Sequence, residues 1–197
     1  MALPTPSTDP VVLLTQEQHE AYLFHHFNAD TAWTLGTTLR TKLLSLPASQ
    51  RRPAVISITS ATAANPPHIL FQCATEPGTL PDNEHWVRRK RNTVLRWGVS
   101  SWTMRQKITA GLAAKAGRDG VVTADEVEEA LVRKFGLASG SGGAVADEYA
   151  IHGGGYPVRV RGVEGVVAVV VVSGLKQEDD HAVVVEGIRE VVASQGQ

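Results

Sequence analysis

One cysteine, Cys73, among 197 residues excludes an internal disulfide and any cysteine cage around zinc. Charge of one sign is also missing: 19 basic residues against 20 acidic ones leave a formal net charge of −1. No global field therefore attracts nucleic acid or an anionic membrane, and neither is expected as a partner. The longest apolar run, between Gly165 and Gly174, is about half of the roughly 20 residues that a membrane helix needs. The opening MALPTPSTDP has no basic region ahead of an apolar stretch, so residues 1–14 are expected to form a flexible tail rather than a secretory signal. A reducing, cytoplasmic setting fits these absences.

Catalytic signatures are missing too. No Gly-Lys-Ser/Thr ending follows the glycines, and no HExxH motif, Ser-His-Asp spacing or paired-carboxylate motif occurs. Catalytic residues stay unassigned, no metal-ligand set is expected, and whether the protein is an enzyme is open. His25-His26 is expected on a helix, where adjacent residues point apart, so the pair does not chelate one ion.

What is present is a core. With 43% hydrophobic residues, the chain suits one domain over residues 15–197. Residues 15–46 read as a helix, with Ala32, Leu35, Leu39, Leu43 and Leu46 along one face and Pro47 as its stop. Residues 54–59 and 68–73 read as a strand pair around Asn65-Pro66-Pro67. Residues 82–115 are helical with a break near 98–101, and 117–120 make a turn. Thr123 and Glu126 form a capping box, placing a helix over 125–135 that Gly136 ends. Residues 138–144 read as a mobile glycine-serine loop.

Residues 158–161 alternate apolar and charged, a strand with one wet face, whereas 166–172 are apolar throughout, a strand covered on both. Gly162 to Gly165 suits the hairpin turn between them. A last helix over 177–192 carries Val184, Val185, Ile188, Val191 and Val192 on one face, with Asp179 and Asp180 complementing its dipole. This order favours α+β, an antiparallel sheet with helices on its faces.

Two stretches invite function. In His152-Gly153-Gly154-Gly155, three consecutive glycines imply either a bend where backbones meet closely or a backbone open to a ligand. A nest of free N–H groups there could take an anion, and His152 is either a loop hydrogen-bonder or a ligand-binding group. In Trp86-Val-Arg-Arg-Lys-Arg-Asn-Thr-Val-Leu-Arg-Trp97, Lys90 and Arg91 fall inside the apolar sector marked by Val87, Val94 and Leu95. Charges there need an ion pair, a path to water or an anionic ligand, so Lys90 and Arg91 join His152 to Gly155 as candidate ligand-binding residues. Trp86, Trp97 and Trp102 crowd the same segment with several arginines, a composition enriched at interface centres, and are the candidate interface of a homo-oligomer.

Taken together, FNADTAWTLG (27–36), GTLPDNEHWVRRKRNTVLR (78–96), YAIHGGGYPVRV (149–160) and VVVVSGLKQEDDHAVVVEGI (169–188) resemble the haem-degrading-domain, or GlcG/HbpS-like, family over about residues 15–192. The resemblance implies a profilin-like α/β/α fold with a central antiparallel sheet and a symmetric homo-oligomer built from dimers. Haem becomes a possible ligand, although the branch this chain is similar to carries no established reaction. The expected function is thus a cytoplasmic oligomer that binds a small anionic or tetrapyrrole-like molecule. The alternative is a non-catalytic adaptor that recruits cytosolic proteins, with Lys90 and Arg91 held in structural ion pairs.

Overall fold

In the computed structural model, which describes residues 3–62, 65–116, 122–137 and 146–196, a five-stranded sheet is sandwiched between helices. The strands are β1 (Leu23–Phe24), β2 (Val55–Ser60), β3 (Ile69–Ala74), β4 (Gly155–Val160) and β5 (Ala168–Ser173), in the order β1-β4-β5-β2-β3. β2 to β5 pair antiparallel, and both expected hairpins form. The two-residue β1 runs parallel to β4 at the edge, a feature the sequence reading lacked.

The central strand β5 shows why the chain makes three layers. Ala168, Val170 and Val172 point into the main core with Leu35, Leu39, Leu43, Val184 and Ile188. Val169 and Val171 point the other way, onto Val87 and Val94. A strand apolar at every position must be covered on both faces, as β5 is. Helices α2 (Ala29–Leu44) and α6 (Gln177–Gln195) cover one face, and α3 (Pro81–Trp97) covers the other. Beyond α3, α4 (Ser101–Ala116) and α5 (Ala124–Phe135) build a second core from Met104, Ile108, Val127, Leu131 and Leu137. Gly98, at a φ of 65°, ends α3 at the expected break, and the Thr123–Glu126 capping box opens α5. The expected turn at 117–120 and loop at 138–144 lie outside the described residues.

Three expectations are corrected. Residues 10–14 belong to helix α1 (Pro10–Gln18) rather than to a tail; Asp9 caps it, and Leu13 is buried. Trp102 Nε1 donates to the Ser7 carbonyl at 2.8 Å, so the chain is tied down before α1 begins. Second, no single helix spans 15–46: α1 ends at Gln18, β1 intervenes, and α2 starts anew where the Asn28 side chain accepts from Thr31 N–H. His25 and His26 therefore sit in an exposed loop rather than on a helix. Third, β4 is wet only toward its end: Gly155 to Val158 are buried, and Arg159 is half-buried, donating to the Gly98 carbonyl at 2.6 Å.

Candidate functional site

Helix α3, the end of β5 and the start of α6 meet at the loop that carries the three glycines. Thr93 Oγ1 donates to the Ala150 carbonyl at 2.8 Å, and Ala150 N–H donates back toward Arg89 and Thr93, so the loop is fixed along α3. A Cβ on Gly153 would run into the Gln177 carbonyl of α6. At Gly154, with a φ of 117°, it would strike the Val172 carbonyl and stand 2.9 Å from Lys90 Nζ. At Gly155 it would press to 3.1 Å from the Lys90 carbonyl. Three elements approach the backbone too closely for a side chain, which is the structural half of the two readings of the glycine run.

Lys90 is 3% exposed, and its ammonium donates to Asp180 Oδ2 at 2.9 Å and to the Val172 carbonyl at 3.1 Å. The partner carboxylate, 2% exposed, also accepts from Leu175 N–H at 3.1 Å and Gly174 N–H at 3.4 Å. Burial pushes the Asp180 carboxyl up, against the pull of Lys90 and those two N–H groups. The anion taken by the turn after Ser173 is thus the protein's own. Sequence reasoning treated Asp180 as a dipole complement; its signal was its place on the apolar stripe of α6, one turn ahead of Val184.

Beside this pair opens a cavity of about 310 Å³ lined by Trp86, Lys90, His152, Ser173, Gln177 and Asp180, among others. The His152 imidazole stands edge-on to Trp86 with ring centroids 4.8 Å apart. Its Nδ1 is buried and accepts or donates no hydrogen bond, and the Oε1 of Gln177 is likewise unpartnered. Burial first, then the charges of Arg105, Lys90 and Arg89, push the His152 pKa down to about 4. The ring is neutral at pH 7, so its 3.7 Å approach to Glu128 is no ion pair. Glu128 instead accepts from Arg105 at 3.3 Å, while burial raises its own pKa. A neutral imidazole with a spare nitrogen, set among cations and against an indole, can accept a proton donor or ligate a metal atom.

The other predicted residues lie elsewhere. Arg91 does not join Lys90: one step around α3, it lines a separate cleft with Arg88, Asn92 and Arg96. Adjacent helical positions diverge by about 100°, so the two cations line different clefts. Trp102 is 4% exposed and belongs to the core of the chain, which removes it from the expected interface. Trp97 is wedged between Phe135 and Tyr149, at 4.8 and 5.1 Å. Trp86 is half-buried beside His152. The exposed tryptophan is Trp33, at 64%, packed edge-on to Phe71.

Two further buried groups escaped the sequence reading. His181 is fully buried between Trp102 and Tyr156, its Nδ1 is unpartnered, and burial drives its pKa down to about 3. Glu17 of α1 accepts from Ser100 N–H at 3.1 Å and from the Thr103 hydroxyl, serving as a cap for α4 from a distant helix. Among the described residues, no group of three or more histidine, cysteine, aspartate or glutamate side chains could hold a metal ion. Nor is any described helix long and apolar enough to cross a membrane.

Comparison with known proteins joins this geometry to a family. Residues 27–189 match the family described as "Haem degrading protein HbpS-like". A UPF0303 protein of Sinorhizobium medicae is 36% identical over 177 residues, covering 90% of this chain and 87% of its own. The crystal structure of the Ybr137w protein superposes with a TM-score of 0.74 at 26% identity, covering 98% of this chain and 92% of that one. The crystal structure of HbpS, at 14% identity and a TM-score of 0.54, covers 85% of this chain and 90% of its own and shares its fold, the expected profilin-like α/β/α arrangement. The family match extends across the site residues, and the chain belongs to the HbpS-like family.

Proposed function

We propose that this protein binds a small anionic or tetrapyrrole-like ligand in the cavity at His152. The observation that carries the reading is the cavity itself, lined by His152, Trp86 and Gln177, with His152 Nδ1 and Gln177 Oε1 left without hydrogen-bond partners beside it. Natural polar atoms at such depth are normally satisfied, so a partner from outside the chain is the simplest account. The cations that add to burial in keeping His152 neutral also favour a negative group on the ligand, and Arg89 lies 4.8 Å over the Trp86 ring. Lys90 contributes less to that field than its charge suggests, because Asp180 neutralises it.

Haem is the specific candidate that the family description supports. His152, neutral at pH 7, would be the residue to hold the iron, and the positive field of Arg105, Lys90 and Arg89 would favour the carboxylates of the macrocycle. The cavity, near the small end of the roughly 300–1,000 Å³ typical of ligand sites, admits an edge of a tetrapyrrole rather than the whole ring. The reading assigns binding and no reaction. Titration of haemin followed at the Soret band tests it: a saturable shift that His152→Ala removes is expected. No saturable shift, or one indifferent to His152→Ala, overturns the tetrapyrrole form.

The reading includes self-association into dimers or multiples of them, in the cytoplasm, where a lone free thiol is at home. The surface that supports it is not the predicted tryptophan cluster. Trp33 and Ile69, 64% and 51% exposed, flank the open edge strand β3. Light scattering behind a sizing column should give a multiple of 21.1 kDa, dispersed by Trp33→Glu; a monomer mass at micromolar concentration refutes it. The same exposed surface is what favours the second reading, an adaptor that recruits a cytosolic protein, and the Lys90–Asp180 pair is the structural ion pair that reading expected. Haemin binding through His152 decides between the two.

A further inference from the structure

Arg91 is the charged side chain that neither core nor cavity explains. It is only 9% exposed, yet its guanidinium has no hydrogen-bond or ion-pair partner among the described residues. A guanidinium carries five donors and stays charged at any physiological pH, and the donors of Arg91 open onto a cleft rather than onto a protein acceptor. The carboxylates nearby are otherwise engaged. Glu84 faces Arg91 from two turns earlier on α3, but its Oε2 accepts from the Gln72 amide at 3.1 Å. Glu148 on the cleft wall faces Arg88 at 3.7 Å.

The cleft above Arg91 holds about 440 Å³. Its other walls are of two kinds. Arg88 and Arg96 add cationic rims, with Arg96 lying 4.9 Å over the Tyr149 ring. Pro67, Leu95 and Tyr149 supply apolar and aromatic surface. Asn92 donates its amide to the Glu148 carbonyl at 3.0 Å, fixing that wall to α3.

We propose that this cleft is a second binding site, separate from the His152 cavity, for a small molecule that carries a phosphate or carboxylate on a flat apolar body. The oxyanion meets the Arg91 fork, whose planar donors match two oxygens at once, and the body lies against Leu95, Pro67 and Tyr149. Arg88 and Arg96 add attraction at the rim without needing to be desolvated.

Calorimetric titration of the purified full chain with inorganic phosphate, phenyl phosphate and benzoate tests the site and separates the two head groups. Saturable binding of phenyl phosphate or benzoate is expected, tighter than that of inorganic phosphate, and the stronger of the two names the head group. Arg91→Met should weaken it about 10- to 100-fold, the worth of hydrogen bonds to a charged group. Arg91→Lys should retain part of the affinity, and the titrations are repeated in His152→Ala so that any binding at the other cavity is subtracted. Should Arg91→Met not fold, Arg96→Gln at the rim must still weaken binding several-fold. No saturable binding of any probe at millimolar concentration, or binding unaffected by both arginine variants, overturns the site. A change in oligomeric mass on Arg91→Met also overturns it, because the guanidinium would then serve a neighbouring copy. Binding that survives His152→Ala and is lost in Arg91→Met belongs to this cleft, and binding lost in His152→Ala alone belongs to the proposed site, so the two readings fail separately.

Discussion

Removing the ammonium of Lys90 tests the arrangement that holds the site together. In Lys90→Met the stem keeps most of its volume, but Asp180, 2% exposed, loses the charge that stands 2.9 Å away. Breaking a buried pair from one side costs about 3–5 kcal/mol, against a total stability of about 5–15 kcal/mol for a domain. The Leu175 and Gly174 N–H groups still reach the carboxylate, which argues for the lower half of that range. Asp180 can escape by taking a proton. Its pKa, already raised by burial, must rise further without Lys90, so the folded variant holds that proton more readily than the unfolded chain does. The penalty is therefore full above the folded pKa and shrinks as pH falls through it. Urea unfolding at several pH values reads both the size and the slope. Removing Asp180 as well, in Lys90→Met/Asp180→Leu, should recover only part of the loss, since two loop N–H groups then lack an acceptor at about 1–3 kcal/mol each. A loss below about 1 kcal/mol in the single variant, the value of a surface pair, would refute the claim that this pair is buried and structural.

Other expectations follow from the same contacts. With folded pKa values of about 4 for His152 and about 3 for His181, both below the ordinary 6.5, the unfolded chain takes up protons first. Their contribution to stability is full above pH 6.5 and is lost as pH falls toward those values, and an NMR titration that found either ring protonating near 6.5 would contradict the burial argument. Gly154→Ala and Gly165→Ala, both at positive φ, should each cost about 1–3 kcal/mol in backbone strain, and only Gly154→Ala should lose more through its clash with the Val172 carbonyl; equal melting temperatures would refute the close-approach account. Glu17→Gln removes a charged acceptor from the start of α4 and should destabilise by about 1–3 kcal/mol in chemical denaturation; no measurable loss would mean that α1 is merely draped on the surface.

How much of this was legible in the chain depends on the range of the interaction. The covered strand β5, the α5 capping box and the break at Gly98 are set by neighbours in sequence, and each was read correctly. The errors near the N-terminus were readable as well. Asp9-Pro10 and Asn28 are both helix-start signals; the first is hidden in a stretch whose composition reads as a tail, and the second by an apolar stripe of α2 carried too far back. What no local pattern contains is the pairing across the sheet. Lys90 and Asp180 are ninety positions apart, as are Asn83 and the Ser173 carbonyl it donates to.

The two cations at adjacent positions show where a helical wheel stops. It placed Lys90 and Arg91 on one apolar stripe and so suggested one site. Burial did follow for both, at 3% and 9% exposure. The stripe, however, is wide enough to straddle two boundaries of the sheet layer. Lys90 leans toward the end of β5, where α6 supplies Asp180; Arg91 leans toward the Tyr149 side, where no carboxylate among the described residues closes on it. The same chemistry of burial thus has opposite consequences one residue apart: an internal ion pair that braces the glycine loop and His152, and an open guanidinium that still has its donors to offer.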